Sequence, residues 1–97
     1  MTMDSVRDDA NAALMLDGNA VAGALSEIFG AEMTVNEAEC ASCGQVHAVG
    51  AMLAFTQAPG IVLRCPSCEA VMVRIVRTPR GTYVDVRGAA YLRMPPS

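Results

Sequence analysis

The sequence predicts a small α+β domain gathered around its four cysteines, with one amphipathic helix ahead of about three antiparallel strands. Three observations carry that prediction. The cysteines fall into two Cys-x-x-Cys pairs, Cys40/Cys43 and Cys65/Cys68, which account for every cysteine in the 97 residues. An apolar stripe with helical spacing, Val21, Leu25, Ile28 and Phe29, precedes the first pair. After the second pair, "VMVRIVR" at 71–77 and "TYVDVR" at 82–87 alternate like strands, and "TPRG" at 78–81 joins them as a hairpin turn.

A chain of this length sits near the size at which one hydrophobic core is marginal and a covalent or metal staple is often added. The composition is 53% hydrophobic but only 4% aromatic, with no tryptophan and seven methionines. Its core must therefore be built from aliphatic side chains and adaptable thioethers.

Residues 1–13 are polar, acidic and aperiodic, and read as a flexible leader. Residues 14–97 form a single domain. Its helix spans about 17–30, because Asp17 can cap the N-terminus and Gly30 can end the helix in the left-handed conformation. Met33 to Glu39 leads as a strand into the first cysteine pair. Val46 to Gln57 is rich in apolar residues up to the turn "APG" at 58–60, and Ile61 to Leu63 runs into the second pair. The closing "MPPS" continues neither helix nor strand.

Asp4, Asp8 and Asp9 stand where a secretory signal would carry positive charge, and no apolar run reaches the roughly 18–20 residues of a membrane span. The expected location is cytoplasmic, where thiols stay reduced and two structural disulfides are a poor use of four cysteines. A tetrahedral zinc ion accepts four thiolates, and two tight Cys-x-x-Cys turns can supply them in pairs. The spacing Cys-x2-Cys-x21-Cys-x2-Cys leaves room for one hairpin between the turns. One zinc per chain on Cys40, Cys43, Cys65 and Cys68 is the expected cofactor, with iron second. Gly44 frees the backbone to turn beneath the metal, whereas Glu69 holds the same place in the second turn, which should be the more strained.

"CASCG" and "CPSC" at the tips of short apolar strands resemble the zinc-ribbon or rubredoxin-like class of metal knuckles over roughly residues 38–87. Ribbon folds have three antiparallel strands. More widely, "LDGNAVAGALSEIFG", "EMT", "APG" and "RCPSC" are similar to an uncharacterised family of short bacterial zinc-ribbon-type proteins. That resemblance implies a fold and a metal but names no activity.

Other readings rank lower. A thioredoxin-type redox pair needs one Cys-x-x-Cys at a helix N-terminus in a βαβ unit, and ferredoxin cluster spacings do not match. His47, the only histidine, is surplus to a four-cysteine shell and reads as a polar residue on a strand edge. The methionines lack the repeated spacing of a copper site. The N-terminal Met-His-Glu of nickel-insertion accessory proteins is missing, since the chain starts Met1-Thr2-Met3.

Charge is uneven: residues 1–48 carry eight acids and one arginine, whereas residues 49–97 carry six arginines against Glu69 and Asp85. Arg64, Arg74, Arg77, Arg80, Arg87 and Arg93 could form a nucleic-acid face, but solvated arginines paired with acids of the N-terminal half are the simpler reading. There is no lysine for Schiff-base chemistry, no Ser-His-Asp set and no phosphate-cradling loop, and "GNAVAG" is not a dinucleotide fingerprint because no strand precedes it in a βαβ unit. The expected function is thus a structural zinc module, not an enzyme, acting as a protein-interaction adaptor. Its partner, or a second copy, would dock on Val21, Leu25, Ile28 and Phe29. The alternatives are a nucleic-acid-binding ribbon and a thiol-based redox or metal sensor.

Overall fold

A computed structural model describes residues 15–56 and 60–96; the acidic leader and most of the "APG" turn lie outside them. Strand β1 (Met15–Asp17) runs into a 3-10 turn at Gly18–Val21 and helix α1 (Ala22–Phe29). The remaining strands are β2 (Glu37–Cys40), β3 (Val46–Ala48), β4 (Leu53–Phe55), β5 (Gly60–Arg64), β6 (Val71–Thr78), β7 (Gly81–Asp85) and β8 (Ala89–Leu92), with a short 3-10 turn at Val49–Ala51.

The helical segment forms where its stop and start signals place it. The Asp17 side chain accepts a hydrogen bond from the Ala20 N–H at 3.2 Å, and Gly30, at φ +70°, donates its N–H to the Ser26 carbonyl at 2.8 Å. These groups satisfy backbone atoms that a helix end leaves open. The first turn is 3-10 instead of α, so the α-helix proper is shorter than the apolar stripe.

The architecture is α+β and its strand pairs are antiparallel, but a single three-stranded ribbon is corrected. Eight strands among the described residues form a five-stranded sheet, ordered β1-β4-β5-β6-β7, and a three-stranded sheet, ordered β3-β2-β8. The additional strands are three or four residues long, too short to show an apolar period, and they exist because distant partners supply their hydrogen bonds. β1 pairs with β4, Leu16 facing Ala54, and β8 pairs with β2, Tyr91 facing Glu39. Met33–Asn36 forms a turn instead of the start of β2. Thr34 donates its N–H to Glu32 Oε1 at 2.7 Å and its hydroxyl to the same oxygen, while Asn36 donates its amide to the Glu32 carbonyl at 2.8 Å. Such local side-chain bonds compete with a strand ladder.

The core joins helix and sheets through Leu25, Met33, Met52, Leu63, Met72 and Ile75, all nearly inaccessible. Thioethers fill space that rings would occupy elsewhere. Val21 and Leu25, 7% and 1% exposed, lie in this core, and Ile28 and Phe29 pack partly buried against it. The stripe is thus largely covered by the chain itself, because a five-stranded sheet offers more apolar area than the three strands anticipated.

Candidate metal centre

Each cysteine pair occupies the tip of a hairpin, and the two hairpins belong to different sheets. β2 enters the first turn and β3 leaves it; β5 enters the second and β6 leaves it. The turns share one backbone pattern. Cys40 donates its N–H to the Gln45 carbonyl and Gly44 donates to the Cys40 carbonyl, both at 2.9 Å. In the second turn Cys65 donates to Ala70 at 2.9 Å and Glu69 donates to Cys65 at 2.7 Å. The fourth residue after the leading cysteine must adopt positive φ in both: Gly44 at +77° and Glu69 at +65°. Glu69 is the one non-glycine residue with positive φ among those described, so the second turn carries the backbone strain expected of it.

Backbone amides aim at the sulfurs. Ser67 donates its N–H to Cys65 Sγ at 3.3 Å. Bonding from the Cys43 amide lowers the Cys40 thiol to about 7, against the opposing effect of burial, with the Ser42 amide and the Cys68 and Cys43 thiols adding to the drop. Burial raises the Cys65 thiol, but the amides of Cys68 and Ser67 and the sulfurs of Cys43 and Cys68 outweigh it and bring it down. The other two thiols move the opposite way. The Gln45 amide pulls Cys43 down, yet partial desolvation and the thiols of Cys65, Cys68 and Cys40 push it up to about 12. The Ala70 amide likewise lowers Cys68, but desolvation and the Cys40 and Cys65 thiols raise it overall. Each turn thus pairs one buried sulfur whose thiol is lowered with one exposed sulfur whose thiol is raised.

The sulfurs converge. Cys40 Sγ lies 3.6 Å from Cys68 Sγ, Cys43 Sγ lies 3.7 Å from Cys65 Sγ, and all four fall within 4.8 Å of one another. The cysteines are free, at separations far beyond the roughly 2.05 Å of a disulfide. A tetrahedron with metal–sulfur bonds of about 2.3 Å has edges of about 3.8 Å, so the cluster matches a four-thiolate shell and can hold a metal ion.

His47 is not a member of the cluster. It sits on β3, at the edge of the smaller sheet as its sequence context suggests, and its Nε2 lies 2.8 Å from the Ser67 hydroxyl. Ser67 is inside the second turn, so the contact ties the strand leaving one turn to the tip of the other. Sequence reasoning missed this link. Its only local signal is a histidine four residues past Cys43, and nothing in the sequence states that the two turns face each other.

Arg74 and Arg87 line one pocket around Asp85, and several of the arginines are engaged by carboxylates. Arg77 pairs with Glu27 at 3.9 Å, Arg93 with Glu37 at 3.7 Å and Arg87 with Asp85 at 2.6 Å. Arg64 donates to the Glu69 carbonyl at 2.9 Å and stands over the Phe55 ring. Two of these ion pairs recruit acids of the N-terminal half. Neither cysteine pair stands at a helix N-terminus, and no helix among the described residues is long and apolar enough to cross a membrane.

No curated protein and no solved structure matches the chain. Residues 8–97 fit the model of a family of unknown function (DUF6510), and the chain belongs to that family.

Proposed function

We propose that Cys40, Cys43, Cys65 and Cys68 bind one zinc ion per chain as a structural cross-link between the two hairpins, and that the domain so held is a non-catalytic protein-binding adaptor. The observation that carries the metal reading is the convergence of four sulfurs, from two turns of the same backbone pattern, at tetrahedral spacing. Zinc suits an all-thiolate shell, has no geometric preference of its own and needs no redox partner. A dication on four thiolates leaves net negative charge, and the amides aimed at the sulfurs offset it. The hairpins belong to separate sheets, so the ion would close a long loop and add stability where a core this small is marginal.

The adaptor reading is supported by the large apolar side chains left in solvent, among them Val35, Tyr83, Tyr91 and Met94. The nucleic-acid alternative has less support, because Arg77, Arg87 and Arg93 already face carboxylates. Elemental analysis of protein purified without chelator tests the metal assignment: one zinc per chain is expected, and iron or no metal overturns it. Cys68→Ser should lose the ion and unfold, whereas His47→Ala should retain it. Affinity capture from the native cell, repeated with nuclease, tests the adaptor role. Recovery of nucleic acid alone would reverse the ranking.

A further inference from the structure

Strand β7 ends the five-stranded sheet, and among the described residues no strand pairs with its outer side. Its register with β6 determines which backbone groups are open. The two-residue turn Pro79-Arg80 places Thr78 opposite Gly81 as the closing hydrogen-bonded pair. Antiparallel ladders alternate, so Tyr83 opposite Val76 and Asp85 opposite Arg74 are also bonded pairs. The N–H and C=O groups of Thr82 and Val84 therefore point away from β6. Just beyond them the Val86 carbonyl accepts a hydrogen bond from the Ala89 N–H at 3.0 Å, which closes the open stretch.

This edge is complementary to itself. In an antiparallel pair with a two-fold axis at Tyr83, Thr82 of each copy exchanges both of its backbone bonds with Val84 of the other, and every open group is satisfied. A pairing centred on Val84 would match its own open groups but set Thr82 against Val86, whose carbonyl is taken. The axis at Tyr83 brings the two Tyr83 residues into a non-hydrogen-bonded pair, with Cα atoms about 4.5 Å apart, where cross-strand aromatic contact is strongest. Tyr83 is 59% exposed in the single chain. On the opposite face Val84, Thr82, Arg77, Ile28 and Glu27 line a groove of about 450 Å³. Thr82 of the second copy would stand beside Val84 at its rim. The helix stripe thus meets the interface only through Ile28, not through the buried Val21 and Leu25.

Natural sheet edges are usually guarded by lysine, proline, bulges or unpaired charge. β7 has none of these. Its one charge, Asp85, is held by Arg87 within the same copy, and Pro79 lies in the preceding turn. We propose that the chain self-associates through β7 as an isologous dimer, joining the five strands of each copy into one continuous sheet. This names a second copy as one occupant for the binding role proposed above and rests on that reading. An edge of five residues is short against the roughly 1,200–2,000 Å² of a stable interface, so the dimer is weak and concentration-dependent.

Sedimentation velocity over a concentration series, with metal content measured on the same samples, tests this. Wild type should pass from monomer to dimer below millimolar protein. Tyr83→Lys, which sets two like charges face to face across the axis, should weaken association at least tenfold while metal content and melting temperature stay unchanged. Photo-oxidative cross-linking of wild type should yield a dityrosine-linked dimer that persists in Tyr91→Phe and disappears in Tyr83→Phe. A wild type that stays monomeric throughout, a Tyr83→Lys variant that associates like wild type, or a cross-link that depends on Tyr91 would overturn the proposal. A metal-free wild type would instead overturn the metal assignment, whatever its mass.

Discussion

The two turns differ in one respect that can be exchanged by mutation. Gly44 and Glu69 hold equivalent places, at φ +77° and +65°, and each donates its N–H back to the leading cysteine. For an L-residue the left-handed region costs about 1–2 kcal/mol, whereas glycine enters it freely but loses about 0.5–1 kcal/mol more backbone entropy on folding. Glu69→Gly should therefore gain a net ~0.5–1 kcal/mol. Arg64 contacts the Glu69 carbonyl and not its side chain, so that bond survives the change. Gly44→Ala should lose about 1 kcal/mol. A Cβ at residue 44 would have nothing within 4 Å, so the loss is one of backbone conformation and not of packing. Both turns must form to hold the ion, and each 1.4 kcal/mol is tenfold in affinity. Competition against a chelator of known affinity should then show zinc held about fivefold more weakly in Gly44→Ala and about two- to fivefold more tightly in Glu69→Gly, with melting temperatures moving in the same directions. Wild-type affinity in Gly44→Ala, or weaker binding in Glu69→Gly, would refute the reasoning.

Leu25→Ala should cost about 2–5 kcal/mol in chemical denaturation, because Leu25 is 1% exposed within the core; a loss below 1 kcal/mol would mean that the stripe is not core. Gly88→Ala should prevent folding, since a Cβ there would overlap the backbone carbonyl of Val71, and circular dichroism with a normal melt would contradict the fit of this corner against β6. Asp85 is held at about 2 by the Arg87 side chain, with the Arg87 amide adding to the effect. Its folded value lies below the ordinary 3.8, so its contribution to stability is present above about pH 4 and is lost as pH falls toward 2. An NMR titration of the Asp85 carboxyl should show this midpoint, and Arg87→Gln should move it upward.

Local chemistry made much of the site legible in the sequence. Cys-x-x-Cys turns are self-contained, and around the second pair the apolar runs Ile61-Val62-Leu63 and Val71-Met72-Val73 mark the two arms of its hairpin. The strain at Glu69 followed from comparison with Gly44 alone. The helix was bounded by Asp17 and Gly30, and the β6–β7 hairpin by alternation around "TPRG"; each is a signal carried within a few residues.

Tertiary structure decided whatever depends on distant partners. β1 and β8 are too short to show a period and exist only because β4 and β2 receive them, which turned one ribbon into two sheets. That larger sheet buried Val21 and Leu25, so the most conspicuous apolar stripe in the sequence became core. The turns of separate sheets were brought face to face, which set His47 against Ser67. Arg77 met Glu27 and Arg93 met Glu37, acids from the other half of the chain. The sequence by itself determined which residues can turn, cap and donate sulfur, because those properties are local. Which surfaces are left over after packing is a property of the whole fold, because burial is shared among elements far apart in the chain.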